Sequence, residues 1–229
     1  MRSRVRVVRR GRERQLRVDG TWASSYRPGE PATGGVWDAL AAAVAALPPA
    51  RRRDILLLGL GGGSAARLAR ALAPSARIVG VELDAEVVAV ARRELDLDGL
   101  GLEVRIGDAR ELVREAGPGF DAVLEDVFVG RGRAVAKPEG FPLPALAHVA
   151  GRLRPGGVMA SNTLDETAEV RRALRSLLPH RVEIAVEGFD NRIVLGSRAP
   201  LDARRLRARL ADEPLFASSL PRLRLRTLP

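Results

Sequence analysis

An apolar run that ends in a cluster of glycines constrains the fold of this chain more than any other feature. Residues 54–58 read Asp-Ile-Leu-Leu-Leu, and the next six, ending at Ser64, read Gly-Leu-Gly-Gly-Gly-Ser. A short apolar run is typical of a buried strand and glycine permits a tight turn, so the pattern predicts a strand, a close turn and a helix. A second apolar run ends in an acid, Glu82. Together these elements predict a unit that holds a nucleoside at the carboxyl ends of parallel strands.

Strand and helix patterns continue to alternate after this unit, which is typical of a doubly wound parallel sheet. Apolar runs at 182–186 and 192–195, joined by Gly188-Phe189-Asp190-Asn191, predict a closing antiparallel hairpin. We therefore expect an α/β fold with a doubly wound, mostly parallel, seven-stranded sheet, the shape of AdoMet (S-adenosyl-L-methionine)-dependent methyltransferase domains. The other predicted strands lie near 54–59, 77–82, 102–106, 121–126 and 156–162, and the predicted helices near 64–73, 85–95, 109–115, 143–153 and 165–177.

Shorter patterns flank this alternation. Residues 3–9, 13–18 and 21–26 read as short strands separated by glycine turns and predict a small N-terminal β-hairpin appendage. An Ala-rich helix is expected over 34–47 and a basic helix over 201–211. The predicted organisation is an appendage over 1–30, a nucleoside-binding catalytic domain over 31–199, and a basic C-terminal helix and tail over 200–229.

Composition excludes several kinds of chemistry. The chain has no cysteine, which excludes disulfides, thiolate metal sites and cysteine nucleophiles. His148 and His180 are too few for a histidine-rich metal site, and we expect no metal. The longest apolar stretch, 36–47, contains Asp38 and is too short to cross a bilayer. The N-terminus has no apolar core of the signal-peptide kind, so we expect a cytoplasmic protein without membrane contact.

The net charge of +10 is concentrated at the two ends of the chain. Residues 1–27 carry +7 and residues 198–229 carry +5, so the middle is close to neutral. Basic ends are typical of proteins that bind nucleic acid or another anionic surface. However, Lys137 is the single lysine among 38 basic residues, which indicates the codon bias of a GC-rich genome, and aromatic residues are only 3%. We favour codon bias and leave nucleic-acid binding open.

Acids are expected at the carboxyl ends of successive strands. Ser64 stands where a dinucleotide-binding turn has its third glycine, so the G-x-G-x-G turn favours a nucleoside of the AdoMet type. Glu82 is placed to accept hydrogen bonds from both ribose hydroxyls. Asp108 can accept from an adenine amino group, cap the helix after it, or do both. The predicted nucleoside-binding residues are Gly59, Gly61, Gly62, Gly63, Glu82, Leu83, Asp108, Ala109 and Asp126.

Asp126 is the predicted catalytic residue. It ends the fourth strand of the alternation, where an acid faces the reactive end of the nucleoside and can orient an acceptor or take its proton. Neighbouring strand residues point to opposite faces, so only one of Glu125 and Asp126 can face the site. The Gly- and Arg-rich stretch Val127–Pro138 is either a lid or only a connection. A tryptophan, Trp22 or Trp37, either walls the acceptor pocket or packs in the core.

Several short segments of the chain occur together in one known family. They are Val18-Asp19-Gly20, residues 57–63, Val81-Glu82-Leu83-Asp84, Gly107-Asp108-Ala109-Arg110-Glu111-Leu112, the strand ending at Asp126, Gly156-Gly157-Val158 with Asn162, and Glu187-Gly188-Phe189-Asp190-Asn191. With these segments, residues 18–197 resemble the spermidine synthase (polyamine aminopropyltransferase) family. The resemblance implies decarboxylated S-adenosylmethionine as donor, an amine as acceptor, and a homodimer whose N-terminal hairpin mediates subunit contact and helps to cover the active site.

The chain departs from that family where the donor tail and the acceptor bind. The family's loop aspartate, which binds the aminopropyl ammonium, corresponds to Gly62, and its Tyr-His-Glu motif corresponds to 36–38, Val-Trp-Asp. Ala23 stands where a glutamine is expected. Of an acidic D-x-x-D pair, Asp126 is kept but the second position is Val129. A polyamine is a chain of cations that needs several carboxylates in place of its lost hydration, so the diamine site is altered.

Four functions are compatible with these residues. The first is an AdoMet-dependent methyltransferase acting on a small-molecule acceptor. The second is aminopropyl transfer from decarboxylated S-adenosylmethionine to an amine. The third, RNA methylation, is motivated by the basic ends, although residues 125–128 read Glu-Asp-Val-Phe and lack the Asn-Pro-Pro-aromatic motif for base amines. The fourth is a nucleoside-binding module without catalysis.

Overall fold

Two β-sheets organise the chain in the computed structural model, which describes residues 4–115, 117 and 119–229. The strands are β1 (Val5–Arg10), β2 (Glu13–Val18), β3 (Thr21–Tyr26), β4 (Asp54–Leu58), β5 (Arg77–Glu82), β6 (Glu103–Ile106), β7 (Phe120–Glu125), β8 (Leu153–Thr163), β9 (His180–Val186), β10 (Arg192–Ser197) and β11 (Leu223–Leu228). The α-helices are α1 (Val36–Ala45), α2 (Ser64–Leu72), α3 (Ala85–Leu95), α4 (Ala109–Leu112), α5 (Ala145–Gly151), α6 (Thr167–Leu177) and α7 (Ala203–Asp212). The predicted start of the first strand, residue 3, lies outside the described residues.

The larger sheet has the strand order β11-β9-β10-β8-β7-β4-β5-β6. The part from β8 to β6 is parallel, and β10, β9 and β11 add antiparallel pairs at the other side. The predicted α/β class and the closing hairpin are therefore confirmed. Within the described residues the sheet has eight strands rather than seven, because the tail pairs with β9. Leu223 is buried there while Arg224 and Arg226 are exposed, the alternation of a strand with one covered face.

Helices cover both faces of the larger sheet. Buried side chains of α1, α2, α3 and α7 form the core on one face, and those of α4, α5 and α6 form the core on the other. Strand β4 contributes to both cores, with Ile55 and Leu57 on one face and Leu56 and Leu58 on the other. A strand covered on both faces needs an apolar side chain at every position, which explains the run of leucines before the glycine turn.

The smaller sheet, β1-β2-β3, is antiparallel and packs on α3. Leu16 is fully buried there against Val87, Val90 and Leu95. This packing places β3 beside the glycine turn that follows β4. No helix among the residues described is both long and apolar enough to cross a membrane.

Candidate functional site

The carboxyl ends of the parallel strands β4, β5, β6 and β7 carry the predicted site residues. Gly59 follows β4 with a φ of +82°, in the left-handed region that favours glycine. A Cβ atom on Gly59 would lie 2.4 Å from the carbonyl oxygen of Asp126. Gly59 therefore lets the ends of β4 and β7 approach each other, and Asp126 lies next to the glycine turn.

The N–H groups of the glycine turn, residues 59–63, find acceptors inside the protein. Gly61 donates to Oε2 of Glu82 at 2.8 Å, and Gly62 donates to Oγ of Ser24 at 2.6 Å. The other N–H groups of the turn donate to backbone carbonyls. The N–H groups of the turn are thus already paired within the protein, and free donors are expected only in the helix that opens at Ser64.

Gly62 has no space for a side chain. A Cβ atom at this position would lie 2.7 Å from Cδ2 of Leu95 and 2.8 Å from Cβ of Ser24. Leu95 is fully buried and Ser24 is 1% exposed, so neither side chain can move into solvent. The position that holds an aspartate in the resembling family is occupied here by side chains from α3 and β3.

Glu82 ends β5 and is held by two backbone donors. Its Oε2 accepts from Gly61, and its Oε1 accepts from the N–H of Asp84 at 3.1 Å. Burial raises its pKa, and the backbone hydrogen bonds oppose this rise. A carboxylate has about four acceptor sites, so this arrangement leaves capacity for ribose hydroxyls. Leu83, the next residue, is 63% exposed and offers an apolar surface beside that carboxylate.

Asp108 lies between β6 and α4 and caps the helix. Its Oδ1 accepts from the N–H of Arg110 at 2.8 Å, and its Oδ2 lies 2.6 Å from Nη2 of the same arginine. The Arg110 guanidinium lowers the pKa of Asp108, which keeps the carboxylate charged. Ala109 is buried as the first residue of α4. The capping role is thus observed, while the adenine contact stays a prediction.

Asp126 follows β7 and is held by two neutral donors from distant segments. Nδ2 of Asn162 donates to its Oδ1 at 2.7 Å, and Nε1 of Trp37 donates to its Oδ2 at 3.2 Å. Nδ2 of Asn191 in turn donates to Oδ1 of Asn162 at 2.9 Å. Burial raises the pKa of Asp126, and the Asn162 hydrogen bond and the Lys137 charge oppose the rise. The side chain is fixed in orientation and binds a proton more readily than a carboxylate in water.

Glu125, the neighbour of Asp126, makes entirely different contacts. Its Oε1 lies 2.5 Å from Nζ of Lys137 and accepts from the N–H of Val127 at 2.8 Å. Its Oε2 accepts from the hydroxyl of Ser161. The Lys137 and Glu125 side chains are 1% and 0% exposed. The two adjacent acids therefore separate into a buried ion pair and a carboxylate held by neutral donors.

Aromatic rings adjoin Asp126 on the side of the N-terminal sheet. The rings of Trp22 and Trp37 meet edge to face with centroids 5.3 Å apart, and Phe189 lies 6.3 Å from Trp22. Trp22 and Phe189 are partly exposed, whereas Trp37 is 5% exposed. Asp38, beside Trp37, instead accepts from the N–H groups before α1 and is fully buried. Within the 36–38 motif, Trp37 therefore donates a hydrogen bond to Asp126, while Asp38 accepts hydrogen bonds at the start of α1.

Sequence reasoning did not identify the roles of Ser24 and Lys137. Ser24 carried no local signal, because its contact with Gly62 depends on how β3 packs on the larger domain. Lys137 did carry a signal, since it is the single lysine in a chain whose other basic residues are arginine. Across residues 4–115, 117 and 119–229, no group of three His, Asp or Glu side chains is arranged to hold a metal ion.

The chain resembles known methyltransferases in sequence. Residues 55–157 match the model of a methyltransferase domain. The chain is 28% identical over 166 residues to a catechol O-methyltransferase of Sus scrofa, with 65% of this chain and 87% of that protein covered.

Similar solved structures come from two groups. A probable spermidine synthase from Corynebacterium glutamicum has a TM-score of 0.76 and 22% identity, with 98% of this chain and 87% of that chain covered. Human methyltransferase-like protein 13, in complex with SAH, has a TM-score of 0.63 and 22% identity, with 82% and 93% covered. The fold predicted from the sequence is therefore found in both groups.

Proposed function

We propose that this chain, an AdoMet-dependent transferase with a methyltransferase domain in a spermidine-synthase-like fold, transfers the methyl group of AdoMet to a small-molecule acceptor that Asp126 orients. The proposal rests on the groups that surround Asp126. Its carboxylate is bonded to the neutral donors Trp37 and Asn162, and its acidic neighbour Glu125 is already paired with Lys137.

These surroundings disfavour a polycationic acceptor. Each ammonium group that leaves water needs a compensating charge or several acceptors. Gly62 and Val129 stand where an aminopropyltransferase is expected to have two further carboxylates, and Gly62 has no room for one. The rings of Trp22 and Phe189 suit the apolar body of an acceptor that carries one hydroxyl or amino group. The similarity to a catechol O-methyltransferase is consistent with such an acceptor.

The residues around the glycine turn fit AdoMet. Glu82 keeps acceptor capacity for ribose hydroxyls, and the exposed Leu83 offers an apolar surface for the base. The glycine at position 62 also removes a carboxylate that would repel the carboxylate of AdoMet. AdoMet supplies a methyl group bonded to a positively charged sulfur. A nucleophile can attack the methyl carbon, and the sulfur then leaves as a neutral thioether.

Asp126 has the properties required of the residue that positions the acceptor. Trp37 and Asn162 fix its two oxygens, and each oxygen keeps a further lone pair for a hydroxyl or amine proton. Burial raises the pKa of Asp126, which makes it a stronger base than a carboxylate in water. It can therefore hold the nucleophile in line and take its proton as transfer proceeds.

Calorimetry and kinetics test the proposal together. We expect AdoMet to bind more tightly than decarboxylated S-adenosylmethionine, and Asp126→Asn to reduce kcat by about 100-fold or more while changing the AdoMet Kd by less than about threefold. Asp190→Asn, at an exposed acid of the β9–β10 turn, is the matched control and should keep full activity.

Aminopropyl transfer is the second candidate, because Asp126, the acid that would take the amine's proton, is retained. Tighter binding of decarboxylated S-adenosylmethionine together with turnover of putrescine would establish this candidate and overturn methyl transfer. Absence of turnover with every acceptor in a panel of phenols, catechols and amines would instead favour a non-catalytic nucleoside-binding role.

A further inference from the structure

The side chain of the single lysine of this chain is almost fully buried near the predicted catalytic acid. Nζ of Lys137 lies 2.5 Å from Oε1 of Glu125 and donates to the carbonyl oxygen of Val127 at 3.2 Å. It also lies 4.2 Å from the ring centroid of Phe128. Burial of an ammonium is costly without such partners, so the lysine stays inside only while Glu125 is charged and in place.

Lys137 belongs to the segment that follows Asp126, the residue proposed to hold the acceptor. We call residues 127–144, between β7 and α5, the rim segment. Its own backbone is paired through Val129 and Ala136, each donating to the other at 2.9 Å. The N–H of Lys137 donates to Oε1 of Glu166, just before α6, at 2.8 Å. The rim segment is thus tied by its own backbone and to the residue that precedes α6.

Two further contacts connect the rim segment to the N-terminal sheet and to α4. Nη2 of Arg131 lies 3.2 Å from Oδ1 of Asp19, in the turn between β2 and β3. Nη1 of Arg110 donates to the carbonyl oxygen of Glu139 at 2.8 Å, and the same arginine pairs with Asp108. The Arg131 contact is more exposed than the Lys137 contact, so loss of the lysine, unlike loss of Arg131, would leave a buried charge without its partner.

The two charges of the Lys137–Glu125 pair also act on the pKa of Asp126. The Lys137 ammonium lowers the pKa of Asp126, and the Glu125 carboxylate raises it. The other contacts of Asp126, from Trp37 and Asn162, come from neutral groups. The positive charge of Lys137 neutralises the negative charge of Glu125. Asp126 is therefore the single carboxylate of the adjacent pair that keeps an unneutralised charge for an acceptor.

We propose that Lys137 is a positioning residue for the transfer reaction: through its ion pair with Glu125 it anchors the rim segment and holds Asp126 as the reactive carboxylate. Its effect on activity rests on the proposed function. Its effect on Asp126 does not, and it can be measured in the absence of turnover.

The two tryptophans allow that measurement by NMR. The indole N–H of Trp37 donates to Asp126, whereas that of Trp22 donates to the carbonyl oxygen of Ser24. The Trp37 indole signal should therefore follow the protonation of Asp126 with pH, and the Trp22 signal should not. Trp37→Phe assigns the two signals.

Lys137→Met should move the midpoint of the Trp37 titration to higher pH by about half a unit or more, because a cation that lowered the pKa of Asp126 is lost. Lys137→Arg should return the midpoint towards that of the wild type. Glu125→Gln should move it to lower pH, and it provides a second test if Lys137→Met does not fold. Equal midpoints in the wild type and in whichever of Lys137→Met and Glu125→Gln folds would overturn the proposal.

Amine chemistry gives an independent readout, because a single lysine and the N-terminus are the only amines of the chain. Reductive methylation of the native protein should modify Lys137 at least about tenfold more slowly than the N-terminus, since its amine is buried in an ion pair. Equal rates would show that the anchor is open in solution and would overturn the proposal.

Kinetics link the anchor to the reaction. Lys137→Met should lower kcat by about tenfold or more and leave the KM for AdoMet unchanged, since the lysine pairs with Glu125 at the end of β7, whereas Glu82 and Leu83 lie at the end of β5. A variant with the kcat of the wild type would overturn the proposal. A wild type that turns over no acceptor would refute the proposed function instead, and the Trp37 titration would still decide the role of Lys137.

Discussion

Substituting Gly62 by alanine should destabilise the protein, although replacing glycine by alanine normally raises the free energy of unfolding where the backbone conformation allows it. Gly62 does not have a positive φ, so an added methyl group causes no backbone strain. The methyl would lie 2.7 Å from Cδ2 of Leu95 and 2.8 Å from Cβ of Ser24. The Leu95 side chain packs with Leu16, Val87 and Val90, and the Cβ of Ser24 is fixed to β3. Relief of the clash therefore requires movement of the N-terminal sheet.

The magnitude follows from two opposing effects. Overpacking of a buried site by one methyl group costs about 1–3 kcal/mol. Replacing glycine restricts the unfolded chain and returns about 0.4–1 kcal/mol. The net loss of unfolding free energy for Gly62→Ala is therefore about 1–2 kcal/mol, which lowers the Tm of a chain of this size by about 2–8 °C.

Urea denaturation followed by tryptophan fluorescence measures this loss. Gly151→Ala is the matched control, because a Cβ at Gly151, the last residue of α5, meets no atom within 4 Å and its φ is not positive. The control should leave stability unchanged or raise it by up to about 1 kcal/mol. If Gly62→Ala is as stable as Gly151→Ala, the side chains of Ser24 and Leu95 do not occupy the space at Gly62, and the steric reason for the missing aspartate is wrong.

Three further predictions concern the site and the C-terminal segment. Glu82→Gln should weaken AdoMet binding by about 10- to 100-fold in calorimetry, because the amide nitrogen would face one of the two N–H groups that now donate to the carboxylate. Glu86→Gln, which changes an exposed acid of α3, is the control and should bind AdoMet with the affinity of the wild type. The raised pKa of Asp126 means that the folded protein binds this proton more tightly than the unfolded chain, so stability should fall as pH rises from the ordinary pKa of 3.8 through the raised one. Asp126→Asn should remove that decline in unfolding free energy, and an unchanged pH dependence would contradict the burial of the carboxyl group. Deletion of 200–229 removes four fully or almost fully buried side chains, Leu206, Leu210, Phe216 and Leu223. Their burial contributes about 6–12 kcal/mol together, so the truncated chain should not fold. A cooperative thermal transition of the truncated chain in circular dichroism would refute this prediction.

That last prediction also bears on nucleic-acid binding, which stays an untested alternative. The basic C-terminal segment is not a free tail: β11 pairs with β9, and Nη2 of Arg52 lies 2.6 Å from Oε1 of Glu213. Trimming this end would therefore unfold the protein rather than remove only its charge. Charge-reversing substitutions at exposed arginines such as Arg6 and Arg224 are the suitable variants, with RNA binding followed against salt concentration.

Parts of the site were predictable because strand ends are a local property. Glu82 and Asp126 follow apolar runs, and the carboxyl ends of parallel strands meet at one edge of the sheet, so their proximity to the glycine turn follows from fold class. The two possible roles of Asp108 could not be separated from sequence, and the structure shows that its capping contact to Arg110 is made. Strand β11 was missed because alternating Arg and Leu in a terminal segment does not say whether a neighbouring strand is available.

What the sequence by itself determined is the alternation of strands and helices, the glycine turn and the acids at the strand ends. Periodicity and turn chemistry act over a few residues, and such signals can be read in order along a chain. Only the tertiary structure decided which groups surround those acids. Trp37 reaches Asp126 from 89 residues away and Ser24 reaches Gly62 from 38 residues away, while Lys137 folds back onto Glu125. These contacts depend on how packed elements meet, which no local pattern in the sequence specifies.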